Sequence, residues 1–290
     1  MRYLVTGGSG YVGRRLVRAL AERSDTEALT AVDLRAPDGL PANARFQVMD
    51  VTDAATLRYA VAAAAPDAIV HLAFAGAAGR DANTVYQNDV GATNSVLEAA
   101  AVLGVQQVLV VSSAAAYGAH PDNPVPLTED CPVRGAASWN ESRVRAVVDR
   151  LCQLWAVRHE DRAMTIVRPA TVVGPGGDPR AARSWQRRVL CAGGASREQA
   201  VQFVHVDDLV AALVVLLEGR HGGVFNVAGE GTISIDEGAR IAGVRRRLLP
   251  GGGKLDFARY PWVVSTDRLR QATGWSPRYT SRAALESGVA

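Results

Sequence analysis

The chain has 290 residues, of which 48% are hydrophobic and 21% are charged, and its formal net charge is +3. These values exclude disordered and collagen-like classes, and the length allows a large buried core. So small a net charge does not indicate binding to nucleic acid or to a membrane surface. No apolar run approaches the roughly 18 residues of a membrane-spanning helix.

The cysteine pattern and the N-terminus favour a cytoplasmic protein. Cys131, Cys152 and Cys191 are widely spaced and form no CxxC pair, so neither a disulfide framework nor a metal site is expected. The segment from Met1 to Gly7 holds too short an apolar run for a signal peptide. Because neither nucleic acid nor a membrane surface is indicated, a small molecule is the expected binding partner.

Short apolar runs alternate with segments of helical periodicity over the first 170 residues. The runs are rich in Val, Ile and Leu, which is typical of strands covered on both faces. They predict strands at Tyr3–Thr6, Leu29–Asp33, Arg45–Met49, Ala68–Leu72, Gln107–Ser112 and Thr165–Arg168. Helices are predicted near 11–23, 53–64, 82–103 and 137–158. This alternation predicts an α/β fold with a doubly wound parallel sheet.

The pattern changes after residue 172. Glycines and prolines at 174–179 break regular structure, and residues 177–200 are rich in Arg, Ala and Gly, which predicts a loop or lid. Regular structure returns with a strand at Phe203–His205, a helix near 206–218, a strand at Val224–Val227 and short helices after Ser234 and Thr266. We predict a core of residues 1–172, to which 203–228 return. A small C-terminal substrate-binding lobe and lid would comprise 173–202 and 229–290.

A glycine-rich turn follows the first predicted strand and opens the first predicted helix. It reads Thr6-Gly7-Gly8-Ser9-Gly10-Tyr11-Val12-Gly13. Glycine allows positive φ, lets a pyrophosphate approach the bare backbone and lets the helix pack close to the strand. The free N–H groups at the helix N-terminus attract phosphate. Asp33 ends the next strand twenty residues after Gly13, and this combination predicts a Rossmann-type dinucleotide site.

Asp33 and Arg35 bear on which dinucleotide is bound. The Asp33 carboxylate is predicted to accept hydrogen bonds from the adenosine ribose and to repel a 2′-phosphate, which favours NAD over NADP. Arg35 lies two residues further on and can offset this repulsion, so NADP stays open. Alternatively, Arg35 is a solvated loop charge.

These motifs and others resemble the extended short-chain dehydrogenase/reductase family, the group of NAD-dependent sugar-nucleotide epimerases and dehydratases. The others are Asp50-Val51-Thr52-Asp53, His71-Leu72-Ala73, Asn88 with Gly91 and Asn94, the segment Val110 to Gly118, Arg168-Pro169, Gly174-Pro175 and Phe203 to Asp208. The resemblance implies that Asp50 and Val51 flank the adenine. The residues it further assigns to the cofactor are Gly7, Gly10, Tyr11, Val12, Gly13, Leu72, Ala73, Phe74, Asn88, Arg143 and Pro169. Val51, Leu72 and Ala73 can alternatively be core residues.

Family members use a serine, a tyrosine and a lysine as catalytic residues. Ser113 lies four residues before Tyr117 and matches the serine; its hydroxyl can hydrogen-bond a substrate carbonyl, or it can cap the strand end. The frame of the tyrosine–lysine motif then falls on Trp139 and Arg143. An indole N–H gives no proton near neutral pH, and a guanidinium is a permanent cation. Lys254 is the only lysine and lies far along the chain.

Three interpretations follow for the missing acid. In the first, the proton comes from water or from a substrate with an acidic hydroxyl beside its ketone. In the second, Tyr117 replaces the family tyrosine as the acid. In the third, the protein binds a dinucleotide as a regulator and catalyses no reaction. The 27 residues between Pro175 and Phe203 are fewer than sugar-nucleotide enzymes usually have, and they carry Trp185.

The resemblance to atypical family members therefore suggests an open pocket over a bulky or flat substrate, lined by Trp139 and Trp185. We predict an NAD(P)H-dependent ketoreductase of the kind that tailors aromatic polyketides in antibiotic pathways. The alternative enzyme is a sugar-nucleotide epimerase or dehydratase with altered acid–base residues. Family resemblance also suggests a homodimer through helices 82–103 and 137–158, with a monomer as the alternative.

Overall fold

The computed structural model describes residues 1–74, 81–177, 199–243 and 260–289. Its central feature is a seven-stranded sheet in the order β3-β2-β1-β4-β5-β6-β10. The neighbours from β3 to β6 pair in parallel. The strands are β1 (Arg2–Thr6), β2 (Ala28–Asp33), β3 (Ala44–Val48), β4 (Ala68–His71), β5 (Gln107–Val111), β6 (Ala163–Pro169) and β10 (Gly223–Val227). Strand order reverses between β1 and β4, which is the arrangement of a dinucleotide-binding sheet.

Helices alternate with these strands, so the predicted α/β doubly wound fold is confirmed. They are α1 (Gly13–Ala21), α2 (Ala54–Ala64), α3 (Ala82–Leu103), α4 (Asn140–Arg158), α5 (Val206–Glu218), α6 (Ile235–Ile241), α7 (Asp267–Thr273), α8 (Ser281–Val289) and a 3₁₀ turn, η1 (Ala114–Tyr117). Two small sheets pair β7 (Thr171–Val173) with β9 (Phe203–His205) and β8 (Ala200–Val201) with β11 (Ile233–Ser234). Across the described ranges, no helix has the length and apolarity that a bilayer span requires.

Side-chain caps fix where the helices next to the predicted site begin. The Asp53 carboxylate accepts the backbone N–H groups of the first turn of α2, and the Asp81 carboxylate does the same for α3. Helix α4 begins at Asn140, three residues later than predicted, because Ala136 and Trp139 pair in a turn just before it. Trp139 therefore lies immediately before the helix.

The described chain forms two compact units. Among the described residues, the first unit comprises those within Met1–Ser112, Val147–Val167 and Val210–Val224, and the second comprises those within Ser113–Ala146, Arg168–Leu209 and Phe225–Ala290. The core of the first unit is aliphatic, with Leu4, Ile69 and Val108 fully buried. The core of the second unit packs around Tyr117 and Phe203. The predicted division into a core of 1–172 with 203–228 and a C-terminal lobe stays a prediction. It differs from these two units in one respect, because residues 113–146 pack with the second unit.

Candidate cofactor site and active-site residues

In the glycine loop of the first unit, a side chain would clash with the backbone at Gly7 and Gly13 but would find space at Gly10. A Cβ at Gly7 would lie 2.6 Å from the Leu72 carbonyl carbon, and one at Gly13 would lie 2.0 Å from the Gly7 oxygen. Gly7 also has a φ of 72°, which favours glycine. At Gly10, by contrast, a Cβ would meet only the Gly7 oxygen, at 3.1 Å. This cradle at the start of α1 fits the pyrophosphate of a dinucleotide.

The Asp33 carboxylate holds this loop to the end of β2. One oxygen accepts the Ser9 backbone N–H at 3.0 Å, and the other accepts the Leu34 N–H at 2.7 Å. The Ser9 hydroxyl in turn donates to the Arg35 carbonyl oxygen. Asp33 is half-buried, and a carboxylate has lone pairs beyond these two for ribose hydroxyls. The Arg35 side chain is exposed.

The remaining residues predicted to bind the cofactor from this unit follow the carboxyl ends of β1, β3 and β4 or lie on α3. Asp50 is exposed and accepts from the Thr52 N–H and hydroxyl at 2.9 and 2.7 Å. The Arg15 guanidinium lies 4.6 Å from the Tyr11 ring centre. Val51 is buried, while the half-buried residues of this set are Tyr11, Val12, Leu72, Ala73, Phe74 and Asn88. Their contact with a dinucleotide stays a prediction.

His71, in the family motif at the end of β4, has a structural role. It is fully buried, with Nδ1 2.7 Å from the Thr6 hydroxyl and Nε2 3.2 Å from the Thr93 hydroxyl. The Thr93 hydroxyl donates to the Asp89 carbonyl oxygen. The imidazole therefore ties β1 to α3 and is engaged at both ring nitrogens.

Two serines, Ser112 and Ser113, directly follow β5, and their hydroxyls have different environments. The Ser113 hydroxyl oxygen accepts the Ala115 N–H at 3.1 Å, which caps η1; the same hydroxyl can still donate its proton to a substrate carbonyl. Ser112 was not predicted as a site residue. Ser112 is 4% exposed, and its buried hydroxyl has no hydrogen-bond partner within the described part of the chain. The only sequence signal for it was its place beside Ser113.

Tyr117 is sealed inside the second unit. Its side chain is 0% exposed, its hydroxyl donates to Asn226 Oδ1 at 2.9 Å, and it accepts from Arg168 Nη1 at 2.7 Å. Burial raises the pKa of Tyr117 to about 12, against a smaller opposite effect of Arg168. Its role as a substitute acid stays a prediction. This geometry disfavours it, because the phenol proton is already donated and faces no solvent.

The positions of the family tyrosine and lysine flank the start of α4. Trp139 is half-buried and packs edge-on against Trp262, with ring centres 5.5 Å apart. Arg143 is exposed, and its Nη2 donates to Asn140 Oδ1 at 2.9 Å. Pro169 is buried at the end of β6. Trp185, residues 178–198 of the loop or lid predicted at 177–200, and Lys254 lie outside the described residues.

The strand order, the glycine loop and the carboxylate at the end of β2 together define a dinucleotide-binding enzyme of the Rossmann class. Residues 3–228 match the NAD dependent epimerase/dehydratase family. The chain belongs to this family, as its motifs predicted, and NAD is its cofactor.

Relatives of the chain in this family carry different activities. A 3-diazoavenalumate denitrifying reductase from a Streptomyces species is 31% identical over 315 residues, covering 97% of this chain and 97% of the relative. A UDP-glucose 4-epimerase from Corynebacterium glutamicum is 25% identical and covers 97% of this chain and 92% of its own. The structure of a Thermus thermophilus UDP-glucose 4-epimerase with NAD superposes with a TM-score of 0.80 at 21% identity, covering 100% of this chain and 98% of that one. The last comparison shows the common fold.

Replacing Asp33 with alanine is expected to weaken NADH binding by about 10- to 100-fold, because a charged acceptor for the ribose hydroxyls is lost. NADPH binding should weaken less, since repulsion of its 2′-phosphate is removed at the same time. Fluorescence titration with both dinucleotides measures the effect, with Asp38→Ala, an exposed loop carboxylate, as the control. The assignment fails if the wild type prefers NADPH strongly and the substitution leaves that preference unchanged.

Proposed function

We propose that the chain is an NAD(P)H-dependent reductase of a bulky aromatic ketone, in which water or the substrate supplies the proton. The observation that carries this proposal is an intact dinucleotide loop combined with Trp139 and Arg143 at the positions of the family's acid pair. The phenol of Tyr117 is buried and bonded on both sides, which also supports a proton source outside the protein.

Each residue then has a limited task. When bound, the cofactor supplies hydride. The glycine loop and Asp33 hold the dinucleotide, and the exposed Arg143 guanidinium can donate to ribose hydroxyls. The Ser113 hydroxyl donates a hydrogen bond to the substrate carbonyl oxygen, which stabilises the negative charge that develops there. An acidic hydroxyl beside the ketone then protonates that oxygen, and Trp139 supplies a flat apolar surface.

An aryl diazo group is a second candidate acceptor, favoured by the Streptomyces reductase whose name describes denitrification of a diazo compound. Replacement of dinitrogen by hydrogen at an aryl diazonium carbon consumes one hydride, releases one N₂ and consumes no proton. The carbon–nitrogen bond breaks with its electron pair leaving on N₂. Such a reaction needs no tyrosine at the position of Trp139.

Three probes distinguish the proposal from its alternatives. We expect the protein to oxidise NADH with 2-acetyl-1-naphthol, giving the alcohol, and the Gly10→Val variant to lack this activity. With ortho-hydroxybenzenediazonium, N₂ release above the Gly10→Val background would indicate the diazo acceptor instead. Interconversion of UDP-glucose and UDP-galactose without net NADH consumption would indicate the epimerase. NADH binding with none of these reactions would contradict both reductase proposals and favour a regulator.

Trp139→Phe is expected to raise the KM for the ketone by about 3- to 30-fold and to change kcat little, because the indole contributes apolar contact area and no titratable proton.

Restoring the family residues, Trp139→Tyr with Arg143→Lys, should give no large gain in kcat. The ring at this position packs against Trp262, an environment built for an indole. Steady-state kinetics measure both, and a large rise in kcat for the double variant would contradict the proposed proton source.

We also propose that the chain acts in a reducing cytoplasm, which suits the free thiols of Cys131 and Cys152, and as a homodimer through α3 and α4. Exposed apolar side chains on these helices, Val102, Leu154 and Val157, would suit such a contact. Light scattering that gives the mass of one chain at micromolar concentration would contradict the dimer.

A further inference from the structure

A buried polar cluster in the second unit neither contacts the substrate nor exchanges a proton in the proposed reaction. It consists of Tyr117, Glu129, Arg168 and Asn226, which come from three separate segments of the chain. Arg168 is 1% exposed, its guanidinium carbon lies 4.7 Å from the Tyr117 ring centre, and its Nη1 also reaches the Glu129 carbonyl oxygen at 3.4 Å. Burying a cation costs free energy unless it is paired and hydrogen-bonded, so the hydrogen bonds of this cluster are needed to keep Arg168 buried.

The hydrogen-bond directions in this cluster are fixed. Arginine only donates, so the Tyr117 oxygen accepts from Arg168 and its own proton goes to Asn226 Oδ1. The Asn226 amide nitrogen donates to the Leu127 carbonyl oxygen at 3.3 Å, and the Asn226 backbone N–H donates to Glu129 Oε1 at 2.8 Å. The phenol is consequently held in one orientation from two sides.

Tyr117 ends the short turn that Ser113 begins. The turn η1 is a single 3₁₀ turn from Ala114 to Tyr117, capped at its start by the Ser113 hydroxyl. Two further bonds hold its middle: the Ser142 hydroxyl donates to the Ala115 carbonyl oxygen at 2.5 Å, and the Gly135 N–H donates to that of Ala116 at 3.0 Å. Because the turn has only four residues, we expect a displacement at Tyr117 to shift Ser113 as well.

We propose that Tyr117 and Arg168 are a positioning pair that fixes η1 and thereby the direction of the Ser113 hydroxyl. This inference rests on the proposed function, in which Ser113 polarises the substrate carbonyl. Tyr117 acts through Ser113 and exchanges no proton with the substrate. Arg168 lies directly before Pro169 at the end of β6. In this proposal the strand holds Arg168 in place, and Arg168 holds Tyr117.

A double-mutant cycle with NADH and 2-acetyl-1-naphthol tests the pair. Tyr117→Phe is expected to lower kcat by about tenfold, as partial loss of one carbonyl hydrogen bond would. In a Ser113→Ala background, the same change should lower kcat by less than about twofold, because the group it positions is gone. The matched control is Tyr3→Phe, another buried tyrosine, whose hydroxyl contacts the Met1 sulfur; it should leave kcat unchanged.

Multiplicative effects of Tyr117→Phe and Ser113→Ala would overturn the proposal. So would complete loss of activity in Tyr117→Phe with NADH still bound, because that result would make Tyr117 the acid.

Hydrogen exchange gives a readout that needs no substrate. Tyr117→Phe should accelerate exchange of the Ala115 and Ala116 amides by about tenfold while leaving α1 unchanged. Arg168→Lys, which keeps the charge and loses the planar fork, should accelerate the same amides. If the wild type does not reduce the ketone, the proposed function fails, and unchanged exchange at η1 then separately overturns the positioning role.

Discussion

Replacing Gly10 with valine is expected to abolish dinucleotide binding in a chain that still folds. A Cβ at Gly10 meets only one protein atom within 4 Å, the Gly7 oxygen at 3.1 Å. A branched side chain there therefore occupies the space for the pyrophosphate at the start of α1 without a severe clash with the protein. We expect the affinity for NADH to fall by at least about 100-fold, or roughly 2.7 kcal/mol, as measured by fluorescence titration.

Two other glycines sharpen this experiment. Gly91→Ala is the matched control, because a Cβ on Gly91 in α3 meets nothing within 4 Å; both folding and NADH affinity should persist. Gly13→Val should instead destabilise the fold, since even a Cβ at Gly13 would lie 2.0 Å from the Gly7 oxygen. Unchanged NADH affinity in a folded Gly10→Val variant would remove the pyrophosphate from this loop.

Replacing Ser113 with alanine is expected to slow ketone reduction by about 10- to 1000-fold without stopping it. Loss of one hydrogen bond to a developing oxyanion has an effect of this size, while binding and orientation of the two reactants remain. The substitution also removes the cap of η1, so circular dichroism and NADH affinity should be measured beside kcat. Ser95→Ala, a buried serine on α3, is the control and should retain wild-type turnover.

Loss of NADH binding in Ser113→Ala would assign Ser113 to the fold or to the cofactor. An unchanged kcat would show that the carbonyl is polarised elsewhere. Ser112, with its buried hydroxyl that has no partner among the described residues, would then be the next residue to substitute.

The fold was largely predictable because its signals are local. The strand predicted at Tyr3–Thr6 is Arg2–Thr6, and the one predicted at Arg45–Met49 is Ala44–Val48. Continuous aliphatic runs mark strands that are covered on both faces. β7 was not predicted, because its three residues end at a glycine with a φ of 140° and are too few to show a period. The start of α4 was placed too early, since the turn before it depends on pairing between Ala136 and Trp139.

The site was predictable only where its contacts are close in sequence. The spacing between the glycine loop and Asp33 indicated a dinucleotide site, and their hydrogen-bond contact fits that prediction. The environment of Tyr117 was not predictable, because its partners Arg168 and Asn226 lie 51 and 109 residues away along the chain. No sequence period encodes a cluster assembled from three separate segments. The sequence left Tyr117 open as a substitute acid, and only the structure shows that its side chain is fully buried.

Hydride transfer to the ketone without a tyrosine acid can be tested directly by isotope labelling. Wild-type protein and Tyr117→Phe are each mixed with 2-acetyl-1-naphthol and NADH dideuterated at nicotinamide C4, and the alcohol is analysed by mass spectrometry. We predict one deuterium at the carbinol carbon from both proteins, formed more slowly by the variant. Alcohol formation by the wild type alone, with NADH still bound to the variant, would contradict a proton source outside the protein and make Tyr117 the proton donor.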